Sequence, residues 1–478
     1  MKYSGRTIAD FALTVDGRDH PTSRTFDVIN PATGQLLTTA PALDPSELDV
    51  VFGAAQQAFE QWKQDDAYRR QRLLEAADAI DAAAEDLVGI LTAEQGKPLD
   101  KSQIEISSAS MYLRYYADLD LPREVIKDDH EGYEEILHRP LGVVAAIAPW
   151  NFPITLAMWK IAPALRAGNT MVLKPSPYTP LSTLALGSVL RDILPPGVLN
   201  VISGPDPLGA QMVGHPVPRK VSFTGSTATG KKVAAAAADD LKRLTLELGG
   251  NDPAIVLDDI DIGKVAEQLF WSAFENTGQI CLAVKRVYAH ESVHAELVDA
   301  LAEIAQSVKV DDGTVAGAQL GPINNAPQLD RVTSLVEDAR QRGARIVAGG
   351  GSLDRPGYFF APTIIDRVED GVRIVDEEQF GPVLPVVAFR DELDAVRRAN
   401  DSTYGLTASV WSGDPNRAAR IGLELDTGQV SINSHGRGVR PHLPFGGRKW
   451  SGIGTENGIW GLRGFTEMQV ITGPRRVS

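Results

Sequence analysis

From Gly142 onward the chain changes texture, and that change limits its fold more than any other feature. Short apolar runs at Val143–Ala148, Thr170–Leu173, Val198–Ile202, Val221–Phe223 and Leu244–Leu246 alternate with helical periodicity. The helical stretches lie near Ile154–Ala167, Ser182–Leu194, Pro207–Val213 and Ser226–Ala238. Parallel neighbours need a crossover connection, usually a helix on the sheet face, so the alternation predicts an α/β fold with a parallel sheet. After Glu247-Leu248-Gly249-Gly250 the pattern restarts with Ile255–Leu257, Arg286–Ala289, Arg345–Val347, Val383–Phe389, Leu406–Trp411 and Gln429–Ile432. A second α/β unit is expected there, and 478 residues are too many for one core.

Upstream the chain reads as helical. Asp44-Pro45-Ser46-Glu47 has the acid, proline and glutamate of a helix start. Ala67–Leu91 places Leu73, Leu74, Ala77, Ile80, Leu87 and Leu91 at helical spacing. Two pieces stand apart: an amphipathic, charged segment at Val125–His138 and a strand-like Gly464–Thr472. Isolated strands need partners, so these are expected to pair with each other or with another subunit.

A net charge of -15 argues against a nucleic-acid partner. The start, Met1-Lys2-Tyr3-Ser4-Gly5-Arg6, lacks the apolar core of a secretory signal, and no apolar run is long enough to span a bilayer. A cytoplasmic protein without a membrane partner is expected. None of the eight histidines sits in a ligand pattern, so no metal is expected.

The chain has one cysteine, Cys281, in Asn276-Thr277-Gly278-Gln279-Ile280-Cys281. It can form no internal disulfide, leaving a packed thiol or a nucleophile. Four further clusters carry polar residues at strand ends. Pro149-Trp150-Asn151-Phe152-Pro153 holds an amide in a rigid backbone, and Leu173-Lys174-Pro175-Ser176-Pro177 sends a lysine from the end of a buried run. Phe223-Thr224-Gly225-Ser226-Thr227-Ala228-Thr229-Gly230 opens a helix with small residues, as anion sites do, though it is neither GxGxxG nor a P-loop. Glu247 ends another apolar run before two glycines, where a general base could enter a cleft. Taken singly, each has an ordinary structural reading: a turn asparagine, a snorkelling lysine, a helix cap, a salt-bridged glutamate.

Together, in this order, the clusters resemble the aldehyde dehydrogenase superfamily from about Asn30 to the C-terminus. Glu378-Gln379-Phe380-Gly381-Pro382 and Pro444-Phe445-Gly446-Gly447 add to the likeness. The resemblance implies two Rossmann-like parallel-sheet domains plus a small β oligomerisation element. Its dinucleotide-binding domain would comprise 1–117 and 141–249, its thiol-bearing catalytic domain 250–452, and its oligomerisation element 118–140 and 453–478. It implies oxidation of an aldehyde to its acid with NAD or NADP. Cys281 would add to the carbonyl, Asn151 and the Cys281 N–H would hold the oxyanion, and Glu247 would activate water to hydrolyse the thioester. Trp150, Lys160, Lys174, Ser176, Gly225, Ser226, Glu378 and Phe380 would bind the cofactor. A homodimer or homotetramer is implied as well.

Two departures from the family pattern matter. Where NAD-preferring relatives often carry a glutamate, this chain has Pro177, so NAD with NADP tolerated or even preferred is expected. Where some relatives place an auxiliary acid it has Ile459, leaving Glu247 to act alone. The aldehyde would meet Phe152, Leu156, Trp159, Ile280 and Leu282, and the loop Ser434–His442, with His435, Arg437, Arg440 and His442. That basic loop fits either an acidic or phosphorylated aldehyde or a plain solvated loop or subunit contact, and the apolar residues fit a medium-chain or aromatic aldehyde equally well. The alternatives to hydrolytic oxidation are a CoA-acylating dehydrogenase and a silent scaffold. Glu247 speaks against the first; Cys281, Asn151 and Glu247 together speak against the second.

Overall fold

The computed structural model describes residues 11–436 and 439–474, with two short strands at Lys2–Tyr3 and Arg6–Thr7. Two α/β layers and a small three-stranded sheet make up the molecule. The first sheet runs, in spatial order, Gly452–Ile453, Arg243–Glu247, Lys220–Thr224, Val143–Ile147, Thr170–Lys174, Leu199–Val201, Leu13–Val15 and Arg18–His20. Its middle five strands are parallel. Three edge pieces run antiparallel, and short apolar patterning gave no warning of them. The central strands are buried along their length save for a half-buried Ile147 at one end, which is why they read as continuous apolar runs rather than as alternating ones.

From Val143–Ile147 the chain builds outward through Thr170–Lys174 to Leu199–Val201, then crosses to Lys220–Thr224 on the other flank. The reversal opens a crevice at the carboxyl ends of Val143–Ile147 and Lys220–Thr224, the place where open parallel sheets take ligands. Ile147, Lys174, Thr224 and Glu247 are the last residues of their strands.

The second sheet orders Arg345–Ala348, Thr363–Asp366, Val383–Phe389, Val284–His290, Asp252–Val256, Thr407–Trp411 and Gln429–Ile432. Five of its six pairings are parallel. The amino ends of its strands carry the loops that end in Gly249-Gly250, Cys281 and Glu378–Phe380. Carboxyl ends from the first sheet therefore share a cleft with amino ends from the second.

The stretch of helical spacing over Ala67–Leu91 is two helices, Asp66–Ala82 and Ala84–Gln95, broken at Ala83. No Gly or Pro adjoins Ala83 to mark that break; the stretch's one glycine, Gly89, lies inside the second helix. Val125–His138 becomes the hairpin Glu124–Asp129 and Gly132–Pro140, and the latter pairs antiparallel with Thr466–Gly473 over eight residues. The two isolated pieces do find each other. Val125, Ile126, Met468 and Val470 remain exposed on that sheet.

Candidate active site

The thiol sits on a strained turn. Asn276 and Thr277 have φ of 50° and 59°, unusual for residues with a Cβ, and Gly278 follows at 71°. A Cβ on Gly278 would collide with the Gly381 carbonyl, so this close approach requires glycine. Side chains fix the turn from below. Asn276 Nδ2 donates to the Asn151 carbonyl (3.2 Å), Thr277 Oγ1 to the Gly321 carbonyl (2.9 Å), and Gln279 Nε2 to the Asn276 carbonyl (2.9 Å).

Two cavities reach Cys281 from different sides. One, of about 240 Å³, is walled by Ile104, Phe152, Leu156, Trp159, Ile280 and Leu282. The other, of about 420 Å³, runs past Trp150, Gly225, Ser226, Gly249, Glu378 and Phe380. Asn151, Leu156 and Cys281 line both. The second continues, through Trp150, Thr224, Gly225 and Ser226, into a cavity of about 560 Å³ with Lys174, Ser176 and Pro177 in its wall. A long channel and a short apolar tunnel thus meet at one sulfur.

Along the channel, Ser226 caps the Thr227–Ala238 helix, its Oγ accepting from Thr229 N (3.2 Å), so the helix start faces the cavity. Among the described residues Lys174 Nζ has only the Pro175 carbonyl, at 3.3 Å, and burial pushes its ammonium down to about 8 despite Asp206. A buried ammonium with so weak a partner suits a polar ligand. Glu378 Oε1 accepts from Gly250 N (3.1 Å), and a Cβ on Gly249 would strike the other oxygen. Trp150 and Phe380 meet edge to face at 5.2 Å between ring centres. These groups would suit a dinucleotide: an electropositive helix start, a lysine for a ribose or phosphate, a carboxylate for ribose hydroxyls, and apolar rings for a nicotinamide.

At the thiol, burial pushes Cys281 up to about 12, Lys285 opposing, with Glu247, Asp252 and Glu378 adding to the rise. Asn151 Nδ2 donates to the Gln279 carbonyl (2.9 Å), leaving its second N–H available. The Asn151 backbone is itself pinned. Lys97 Nζ, fully buried, donates to its carbonyl at 2.8 Å and to Glu105 Oε2 at 2.5 Å. Glu105 Oε1 in turn accepts from the N–H groups of Ile154 (2.9 Å) and Thr155 (3.1 Å), capping the helix that follows.

Glu247 lines neither cavity at the thiol. Both its oxygens are buried without a hydrogen bond among the described residues, in a region shared with Lys160 and Glu456. Burial, reinforced by Glu456 and opposed by Lys160, holds its carboxyl well above the usual range. Lys160, expected at the cofactor, has another engagement. Its ammonium is completely buried and donates to Thr224 Oγ1 (2.7 Å) and Glu456 Oε1 (2.8 Å). A second acid, Glu456, does bear on Glu247. It lies three residues before Ile459, and only the fold, which folds Gly452–Ile453 back beside Arg243–Glu247, brings it there.

The basic loop is less basic than its composition. His435 is turned inward, Nδ1 to Ser409 Oγ (2.9 Å) and Nε2 to the Leu282 carbonyl (2.7 Å), and burial pushes it down to about 4. Its expected place in the substrate wall goes instead to Gly436 and Val439. Arg437 lies outside the described residues. The charges that do line the tunnel are paired: Lys97 with Glu105, and Lys101 with Glu275 at 2.9 Å.

Comparison with known proteins agrees with this geometry. The family model described as the aldehyde dehydrogenase family matches residues 19–471. The chain belongs to that family. This aldehyde dehydrogenase is 37% identical over 458 residues to a putative aldehyde dehydrogenase of Gibberella fujikuroi, covering 96% of this chain and 97% of the relative. It is 37% identical over 484 residues to the chloroplastic betaine aldehyde dehydrogenase of Beta vulgaris, covering 96% and 95%. The aldehyde dehydrogenase of Bacillus cereus in complex with NAD+ superposes with a TM-score of 0.95 at 35% identity, over 98% of this chain and 97% of that one. The protein is thus an NAD(P)-dependent aldehyde oxidoreductase with the expected α/β fold. Among the described residues, no helix is long and apolar enough to cross a membrane.

Proposed function

We propose that this dehydrogenase oxidises neutral, apolar aldehydes to carboxylic acids by thiol catalysis at Cys281, with hydrolysis assisted by Glu247. The observation that carries the reading is the meeting of channel and tunnel at Cys281 and Asn151. The tunnel delivers the aldehyde carbon to the sulfur. The thiolate adds to it, and the carbonyl oxygen takes the negative charge between the free Asn151 N–H and the Cys281 N–H. A bound nicotinamide supplies the hydride acceptor. The domain containing 1–117 and 141–249 holds the dinucleotide through Trp150, Lys174, Ser176, Gly225 and Ser226, and the 250–452 domain contributes Glu378 and Phe380.

Glu247 starts facing inward, with burial holding its carboxyl well above the usual range. To take a proton from water at the thioester it must ionise and swing toward Cys281. Of the two groups that bear on it, Glu456 has the lone pairs to take that proton, while the Lys160 ammonium donates to Glu456. Retained Glu247 favours water over a CoA thiol as acceptor.

Wall chemistry supports the substrate class. Seven apolar side chains, Val439 among them, enclose the tunnel, and its lysines already have carboxylate partners, so a distal carboxylate on the substrate would find no free cation among the described residues that line it. On the cofactor side, Lys174, Ser176 and Lys232 share the adenosine end with Pro177, and the one carboxylate there is Asp206. NAD serves, with NADP accepted. The exposed apolar residues of the small sheet, 118–140 with 453–478, support a homodimer or homotetramer. A thiol that must stay reduced fits a cytoplasmic setting.

The test is reduced-cofactor formation with aliphatic, aromatic and ω-carboxylate aldehydes, each with NAD and NADP and without CoA. Turnover of the neutral aldehydes in wild type, and none in Cys281→Ser, is expected. Preference for ω-carboxylates would overturn the substrate class, and activity only with CoA would overturn the role of Glu247.

A further inference from the structure

Lys285 lies four residues beyond the thiol, at the start of the Val284–His290 strand, and is 2% exposed. Its three N–H donors all go to backbone: the carbonyls of Ile280 (2.6 Å), Cys281 (3.1 Å) and Ala283 (3.3 Å). No carboxylate forms an ion pair with it among the described residues. The side chain is therefore a buried cation held by the dipoles of the nucleophile loop itself.

That grip has a geometric consequence. In a trans peptide the C=O and the following N–H point in opposite directions. Holding the Ile280 carbonyl aims the Cys281 N–H away from Lys285. No hydrogen bond engages that N–H in the described structure, so it stays available to the cavity. Holding the Cys281 carbonyl fixes the next peptide as well. With the planes on both sides of its Cα pinned, the Cα–Cβ bond of Cys281 has one direction, and the sulfur keeps only the staggered positions about it.

We propose that Lys285 is a positioning residue for the nucleophile, orienting the Cys281 sulfur and N–H through the carbonyls it binds and supplying the buried positive charge that the thiolate balances. This rests on the thiol reading above. Other charged groups bear on the sulfur. Glu247, Asp252 and Glu378 oppose thiolate formation. Asp252 is bonded to Thr407 Oγ1 (2.6 Å), and burial pushes it up to about 7, which mutes its charge. In the tunnel wall Lys97 and Lys101 are neutralised by Glu105 and Glu275, and His435 is held neutral by burial. Among the described residues, Lys285 is the cation left to favour ionisation.

The experiment uses the full-length protein and its single cysteine. Iodoacetamide alkylation of Cys281 is followed against pH in wild type, Lys285→Met, Lys285→Gln and Lys285→Arg, with kcat and KM for one aldehyde measured alongside. Lys285→Met is expected to move the alkylation profile at least one pH unit upward, about tenfold slower alkylation at pH 8, and to lower kcat with KM little changed. Lys285→Arg restores the profile. Lys285→Gln keeps two N–H donors without the charge, and its profile also moves upward. Should Lys285→Met not fold, the Gln variant decides the charge question. Wild-type alkylation profiles in folded Met or Gln variants would overturn the proposal. A Cys281→Ser variant that still turns over would overturn the thiol reading instead, whatever Lys285 does.

Discussion

Lys160 and Glu456 form an ion pair, Nζ to Oε1 at 2.8 Å, with both side chains essentially sealed from solvent. The pair lies where the Glu247 carboxyl is buried, and its acid raises Glu247 further. Glu456→Gln removes that negative charge, so Glu247 ionises at lower pH. The rising limb of the kcat–pH profile is expected to move to lower pH in this variant. Lys160→Met leaves Glu456 buried and uncompensated, and should destabilise the protein by about 3–5 kcal/mol in chemical denaturation.

Glu247 also links pH to stability. Its folded carboxyl binds a proton more tightly than the unfolded one, so the folded state loses ground as pH rises above the ordinary glutamate value of 4.5. Glu247→Gln abolishes that loss. The variant is expected to match wild type in urea unfolding near pH 4 and to exceed it at pH 8. In rapid mixing it should give one stoichiometric burst of reduced cofactor, followed by slow turnover as the thioester accumulates.

Asn151→Ala removes one oxyanion donor and is expected to lower kcat by about 10²–10³. Lys97 acts on the same asparagine from behind. Lys97→Met strips the Asn151 carbonyl of its ammonium and leaves Glu105 unpaired, costing about 3–5 kcal/mol of stability. Combining Lys97→Met with Asn151→Ala should lower kcat little beyond Asn151→Ala alone, a non-additivity that steady-state kinetics can read.

Asp66 tests electrostatics far from the thiol. Burial opposes its ionisation, but Arg70, Arg166 and Arg69 outweigh it and hold the carboxyl down to about 2. The stability it provides is present above the ordinary aspartate value of 3.8 and is lost as pH falls toward 2. Asp66→Asn should therefore lower the melting temperature at pH 7 and leave it little changed at pH 2.

The positions of Lys174, Gly225 and Glu247 were legible because each ends or follows an apolar run, and a parallel sheet brings such ends together. Cys281 was legible because it is unique. Lys160 misled because its neighbours in sequence say nothing about Glu456, which arrives from almost 300 residues away. His435 misled for a related reason: a loop's composition does not reveal which side chains turn inward, and Ser409 and the Leu282 carbonyl drew this one in. Lys97, Glu105 and Lys285 carried no signal, since nothing in the local sequence separates a buried lysine from a solvated one. The break at Ala83 escaped because alanine favours a continuous helix.

The two openings onto Cys281 share no wall beyond Asn151, Leu156 and Cys281 itself. Any molecule long enough to occupy both must thread past the sulfur. A linear inhibitor built to span them would carry its midpoint to the thiol, and an electrophile placed there would be captured without further targeting. Since the chain has no second cysteine, one added mass per polypeptide would count the loaded sites directly.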